Sequence, residues 1–319
     1  MAGSTCSRYM DSSTDRKSMN RVLATEGNGI FYETEYALPD CDDDGIQVRA
    51  VMTGVCRSDI DMMQGNFGPL PLSMQGHEGL AQVEKVGKYV QDVKPGDYVA
   101  TRGEPAYADR YTVRSREYVK VAEPLPRNIL EPVACGINVV QQPIREIAER
   151  SGSGRRLLIL GSGFLAWVAY HTIKLNHLDF EITVIGSSNR ELWGQRLTSY
   201  YGGKFDVVID LSNRDDVFTQ DILHNEALIV FGVEKTITTS FSNLLWKACT
   251  IMFPSPRTDG FYKCMQDAAY WVEMGDIVVD TFWSKEYNRD TEWQQAFTDG
   301  VTRPAGYSRG YIKWNNNGS

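Results

Sequence analysis

Residues 157–174 read LLILGSGFLAWVAYHTIK, and this stretch decides the fold. Leu157, Leu158, Ile159 and Leu160 make a short continuous apolar run, the texture of a buried strand in a parallel sheet. Gly161-x-Gly163-x-x-Ala166 follows, and then apolar residues at helical spacing. In such a strand-turn-helix unit Gly161 allows the tight turn and Gly163 lets a pyrophosphate approach the backbone. Ala166, in place of a third glycine, still permits close helix-to-strand packing. Phe164 and Leu165 open the helix, whose N-terminus is the expected seat of the phosphates. The expectation is a dinucleotide site built from Gly161, Gly163, Phe164 and Leu165.

Downstream, EITVIG (181–186), FDVVIDLS (205–212) and ALIVFG (227–232) repeat the strand texture, with amphipathic segments between them. That alternation specifies a doubly wound parallel α/β sheet. At the end of the second strand, VIGSSNRE (184–191) lacks the carboxylate that would bind the adenosine ribose hydroxyls. Gly186 is expected to leave room for a 2′-phosphate, Ser187 and Ser188 to hydrogen-bond it, and Arg190 to pair with it. NADP(H) is therefore favoured over NAD(H).

Upstream the texture is different. Short apolar runs from RVLAT (21–25) to YVKVA (118–122) are broken by GNG, DCDDDG and KPGD, which reads as a β-rich unit. A helical stretch over 126–150 leads into the α/β unit. After Gly260 come a helix, a polar helix around TEWQQAFTDG (291–300), and a return to β texture at the C-terminal end. The tail is expected to rejoin the first unit. Residues 21–138 with 274–319 then form one domain, and 139–273 a nucleotide domain inserted in it. Residues 1–20, polar and without period, are expected to be a leader outside the fold.

Composition narrows the function classes. A chain of 319 residues suits two domains, and 42% hydrophobic with 23% charged residues excludes collagen-like, coiled-coil and wholly disordered readings. A net charge of −8 argues against nucleic acid or an anionic membrane as the main partner, and no apolar stretch has the length of a membrane helix. The six cysteines contain no C-x-x-C pair, so neither a disulfide framework nor a cysteine-rich zinc module is written here, and a reducing cytosol fits. A small molecule is the expected partner.

The four histidines leave a short list for any metal role. Cys56 in GVCRSDIDMMQG (54–65) and His77 with Glu78 in QGHEGLAQVEKVG (75–87) supply a thiolate, an imidazole and a carboxylate from two loops or strand ends. A borderline-soft ion such as Zn²⁺ takes that set.

Taken together, the sequence resembles the medium-chain dehydrogenase/reductase superfamily, with the zinc-dependent polyol, sorbitol and threonine dehydrogenase branch nearest. The resemblance is carried by Gly54-Val55-Cys56-Arg57-Ser58-Asp59, Gly76-His77-Glu78-Gly79, Lys94-Pro95-Gly96-Asp97-Tyr98-Val99, Leu130-Glu131-Pro132, the Gly161 fingerprint and Phe205-Asp206-Val207-Val208-Ile209-Asp210. It runs from about Arg21 to Trp314 and implies a Rossmann domain inserted in a GroES-like catalytic domain. It implies catalytic zinc ligands at Cys56, His77 and Glu78, Glu78 being either a direct or an outer ligand, and a further glutamate near the metal at Glu131. By the same resemblance Ser58 relays the substrate proton and Asp59 orients the histidine. Family members commonly dimerise through the edges of their nucleotide-domain sheets, so ALIVFGVEKTI and ACTIMF suggest a homodimer.

Two departures stand out. Only TRGEPAYADRYTV (101–113) spans the place of the family's cysteine-rich lobe, so no structural zinc is expected. Three residues beyond Ser58 stands Asp61, where many alcohol dehydrogenases carry a proton-relay histidine. The expected activity is hydride transfer between a nicotinamide cofactor and a small alcohol or carbonyl compound. A zinc-free quinone or enoyl reductase, or a silent nucleotide-binding protein, are the alternatives.

Overall fold

The computed structural model describes residues 19–68, 73–236 and 240–314. The first strands are β1 (Met19–Thr25), β2 (Tyr32–Ala37) and β3 (Ile46–Gly54), followed by helix α1 (Arg57–Met63) and strands β4 (Ser73–Met74), β5 (Gly79–Val86), β6 (Tyr98–Thr101), β7 (Arg110–Val113) and β8 (Tyr118–Val121). β2 alternates half-buried and exposed residues, the signature of a strand wetted on one face. The expected leader falls on residues 1–18, outside the described residues, and on Met19 and Asn20. Those two belong to β1, where Asn20 pairs with Tyr36 in the β2 register, so the fold begins two residues earlier than expected.

Helix α2 (Glu131–Gln141) starts the crossing to the second unit, and Pro143 separates it from α3 (Ile144–Ala148). Pro132 lies in the first turn of α2, where its missing N–H costs nothing. The α/β unit then runs β9 (Arg156–Leu160), α4 (Phe164–Leu175), β10 (Glu181–Ile185), α5 (Arg190–Trp193), β11 (Leu197–Thr198), β12 (Phe205–Asp210), α6 (Asp216–Thr219), β13 (Leu223–Phe231), α7 (Ser242–Trp246) and β14 (Thr250–Met252). All its strand pairings are parallel, in the order β11-β10-β9-β12-β13-β14. Numbered within the unit, that is 3-2-1-4-5-6, the order of dinucleotide-binding sheets. β12 is buried at every residue, as a central parallel strand covered on both faces must be. The chain is thus a mixed α/β protein joining a GroES-like sheet domain to a Rossmann-like one.

Beyond α8 (Phe261–Glu273) the chain makes β15 (Trp283–Asn288), α9 (Trp293–Thr302) and β16 (Arg309–Lys313). β16 pairs antiparallel with β3, so the tail rejoins the first sheet, whose order is β15-β16-β3-β5-β6-β8 with β7 also on β3. One apolar cluster fills the seam between the units, combining Leu80, Ala100 and Val119 with Val133 and Ile137 of α2, Phe164 and Val168 of α4, and Met265 and Ala268 of α8. Burial of that cluster fixes how the fingerprint helix sits against the first sheet.

Candidate metal and nucleotide site

β3 ends at Gly54 and α1 begins one residue after Cys56, so the cysteine sits at the helix start in an extended conformation. β5 begins directly after His77 and Glu78. Gly54 has no room for a side chain, because a Cβ there would lie 2.1 Å from Glu78 Oε2. The structure brings a ligand atom from each of Cys56, His77 and Glu78 within 4.8 Å of the others. Thiol, imidazole and carboxylate at that separation fit a tetrahedral Zn²⁺ in donor chemistry after a modest contraction. No other such group of three occurs among the described residues.

Asp59 is fully buried and organises the cluster. Its Oδ2 accepts the Tyr107 hydroxyl at 2.8 Å and the Cys56 backbone N–H at 3.4 Å, and its Oδ1 lies 3.5 Å from His77 Nδ1. That is an ion-pair separation, since Oδ1 has no hydrogen-bond partner among the described residues, and it sets the Asp59 carboxylate on the Nδ1 side of the His77 ring. Burial opposes charge on His77, but the Asp59 carboxylate beside it prevails and holds its pKa well above the ordinary histidine value. Burial and then Glu78 push the Cys56 thiol up. A divalent cation would reverse that balance. Ser58 Oγ donates to Cys56 Sγ at 3.3 Å, so the expected proton relay touches the thiol directly. Asp61 is tied to Arg57 at 3.0 Å and to Asn66 at 2.9 Å.

Glu131, at the first residue of α2, is 3% exposed and lies outside the cluster of three. Burial raises its pKa, and its Oε1 accepts the thiol of Cys135 at 3.3 Å. Cys135 escaped the sequence reading although it stands one helical turn after Glu131.

Arg309, also unforeseen, enters from β16. Its Nη2 donates to both oxygens of Glu78 at 2.5 Å, and its guanidinium lies 4.9 Å from the Phe164 ring and 5.1 Å from the Trp283 ring. Burial disfavours its charge, while Glu78 and Cys56 more than restore it. Phe164 opens the fingerprint helix, so one side chain joins the nucleotide loop to the metal cluster.

At the fingerprint, Gly161 takes φ +111° against the Leu211 carbonyl, and nothing lies within 4 Å of the Cβ position at Gly163. The open approach at Gly163 is the one a pyrophosphate needs. Gly186 behaves otherwise than expected: its Cβ position is only 2.3 Å from Ser162 Oγ. The missing side chain makes way for the fingerprint loop and opens no space for a phosphate. Ser162 Oγ also donates to the Ser188 carbonyl at 2.8 Å, which fastens the two loops together. Ser187, Ser188 and Arg190 are exposed.

Residues 42–122 match the family model of the alcohol dehydrogenase GroES-like domain. The sorbitol dehydrogenase of Macaca fascicularis is 32% identical over 105 residues, which cover 31% of this chain and 29% of that protein. The chain therefore spans less than a third of the length of the sorbitol dehydrogenases it matches. Among solved structures, an oxidoreductase/dehydrogenase of unknown specificity from Escherichia coli superposes with a TM-score of 0.76 at 17% identity, over 93% of this chain and 100% of that one. An alcohol dehydrogenase from Escherichia coli CFT073, complexed with NADH, superposes with a TM-score of 0.73 at 15% identity, over 93% and 99%.

Proposed function

We propose that this chain is a zinc-dependent oxidoreductase of the medium-chain dehydrogenase/reductase superfamily. It transfers a hydride between NADP(H), in preference to NAD(H), and a small alcohol or polyol or the matching aldehyde or ketone. The observation that carries this reading is the convergence of Cys56, His77 and Glu78 to within 4.8 Å, joined through Arg309 to the first residue of the fingerprint helix.

Cys56, His77 and Glu78 would hold one Zn²⁺, with Glu131 nearby and no structural ion. Bound there, zinc supplies Lewis acidity toward a substrate oxygen, and a nicotinamide cofactor supplies or accepts the hydride. The chain's own groups do the rest. Asp59 places its charge on the Nδ1 side of the His77 ring, and the Tyr107 hydroxyl holds Asp59. The Ser58 hydroxyl, beside the Cys56 sulfur, carries the proton between the substrate oxygen and solvent. Gly161, Gly163, Phe164 and Leu165 cradle the pyrophosphate at the start of α4. Ser187, Ser188 and Arg190, being exposed at the end of β10, are available to a 2′-phosphate.

A homodimer belongs to the same reading. β14 is an edge strand, and the residues flanking it in sequence include Leu245 at 74%, Trp246 at 85% and Phe253 at 70% exposure. A cytosolic setting belongs to the same reading, from the scattered cysteine spacing without a C-x-x-C pair. No helix among the described residues is long and apolar enough to cross a membrane.

The test is a screen of alcohols, polyols, aldehydes and ketones with each nicotinamide cofactor, following cofactor absorbance. Turnover with NADP(H) ahead of NAD(H) is expected. Nucleotide binding without turnover on any substrate would instead favour a silent nucleotide-binding protein.

A further inference from the structure

We infer that the amino-terminal edge of the parallel sheet carries a separate anion site, which takes the phosphate ester of a small polyhydroxy compound. β9, β12 and β13 lie side by side in the sheet, and residues entering them border a cleft of about 570 Å³. Ser153, Gly154 and Arg155 come from ahead of β9, Lys204 from ahead of β12, and His224 with Asn225 from the start of β13. Dinucleotides bind outside the carboxyl ends of such strands, at the opposite edge. The cleft is therefore distinct from the fingerprint crevice.

Hydrogen-bond donors dominate its walls. The Arg155 N–H closes a turn on the Gly152 carbonyl at 3.0 Å, with Gly154 at φ +76°, and the N–H groups of Ser153 and Gly154 have no protein partner among the described residues. Arg155 engages only Nη1, on Asp206 Oδ1 at 2.6 Å, which leaves Nε and Nη2 to donate elsewhere. Asp206 Oδ2 accepts the Arg156 N–H at 2.9 Å, so both oxygens of the carboxylate in the lining already face protein donors. Lys204 pairs with Asp221 at 3.0 Å, but Lys247 holds that same carboxylate at 2.6 Å. Positive charge is left over at the cleft.

The donors also stand on a braced backbone. The Arg156 guanidinium, 4.5 Å from the Phe205 ring, donates to the carbonyls of Tyr201, Gly202 and Lys204 at 3.0, 3.3 and 3.0 Å. Gly203 makes room for it, since a Cβ there would lie 2.6 Å from Arg156 Nη1. Lys204 thus enters from a fixed loop. Turn N–H groups beside a guanidinium and an ammonium suit a phosphate group. The volume is that of a small-molecule site, and His224, Asn225 and the Ser153 hydroxyl offer polar partners to hydroxyl groups on the rest of the ligand.

The experiment titrates the full chain calorimetrically with ribose 5-phosphate, ribose and inorganic phosphate at physiological ionic strength. It is repeated on Lys204→Gln, on Lys204→Arg and on protein saturated with NADPH. Ribose 5-phosphate should bind, inorganic phosphate should bind more weakly, and ribose should not bind. Lys204→Gln should weaken ribose 5-phosphate about tenfold, as loss of a charge-assisted hydrogen bond does. Lys204→Arg should retain the affinity, and NADPH binding should be the same in both variants. Absence of ribose 5-phosphate binding would overturn the inference. So would an unchanged affinity in Lys204→Gln, or displacement of ribose 5-phosphate by NADPH, which would place the phosphate in the nucleotide crevice. Equal affinity for inorganic phosphate would overturn the ester as the occupant.

Discussion

Arg309 Nη2 holds both carboxylate oxygens of Glu78 at 2.5 Å, across 231 residues of sequence. Both groups are largely withdrawn from water, with 14% of the Arg309 side chain and 1% of the Glu78 side chain exposed. Removing one partner of such a pair leaves the other buried and uncompensated. Arg309→Met should therefore destabilise the protein by about 3–5 kcal/mol, read as a lower denaturant midpoint at unchanged slope. Adding Glu78→Gln to it should recover a substantial part of that loss. A loss below about 1 kcal/mol in Arg309→Met would show that water, rather than Arg309, satisfies Glu78.

The contact between Gly186 and Ser162 changes what a cofactor-switching substitution should do. With Ser162 Oγ 2.3 Å from the Cβ position, Gly186→Asp must displace the fingerprint loop. It should weaken NADPH and NADH together in a binding titration. Ser187→Asp, at an exposed position one residue on, places the charge without that clash and should weaken NADPH selectively. Equal weakening of both nucleotides by Ser187→Asp would argue against the 2′-phosphate at this loop.

The Gly186 contact also marks the limit of what could be read before the fold was seen. The run from Leu157 to Leu160, the glycines and the helix after them are local in sequence, so their spacing reports the strand, the turn and the phosphate approach directly. Cys56, His77 and Glu78 were legible as metal-type side chains beside turn residues. Arg309 and Tyr107 were not, because their partners, Glu78 and Asp59, lie far along the chain and only the sheet pairings bring them together. At Gly186 the sequence reports a missing side chain but not the neighbour that fills its place. Trp246, four residues before the edge strand β14 in sequence, is 85% exposed.

Asp299 ties the C-terminal tail to the first sheet. Its carboxylate accepts from Lys285, Tyr287 and Gln295, each at 2.6 Å. Burial works against the charge, and these three donors together hold the pKa below the ordinary aspartate value. A carboxylate with a lowered folded pKa contributes stability above its unfolded pKa and loses it as pH falls through the folded one. Asp299→Asn should cost about 2 kcal/mol at neutral pH. The difference should shrink as pH falls below about 4, the unfolded value for aspartate. A difference that stays constant down to strongly acid pH would contradict the assigned charge.

The edge of the parallel sheet provides a test of assembly. Trp246→Asp places a charge beside β14, and it should convert a sedimenting dimer into monomer without altering the unfolding transition of each chain. A monomer in the unaltered protein would remove the proposed homodimer.

Metal content measured on the protein as purified decides whether Cys56, His77 and Glu78 hold a single catalytic zinc. About one zinc per chain is expected, as a site with three protein ligands would retain. Cys56→Ser should lose both the metal and turnover while keeping its fold. Less than about one tenth of a zinc per chain, with oxidoreductase activity intact, would contradict it.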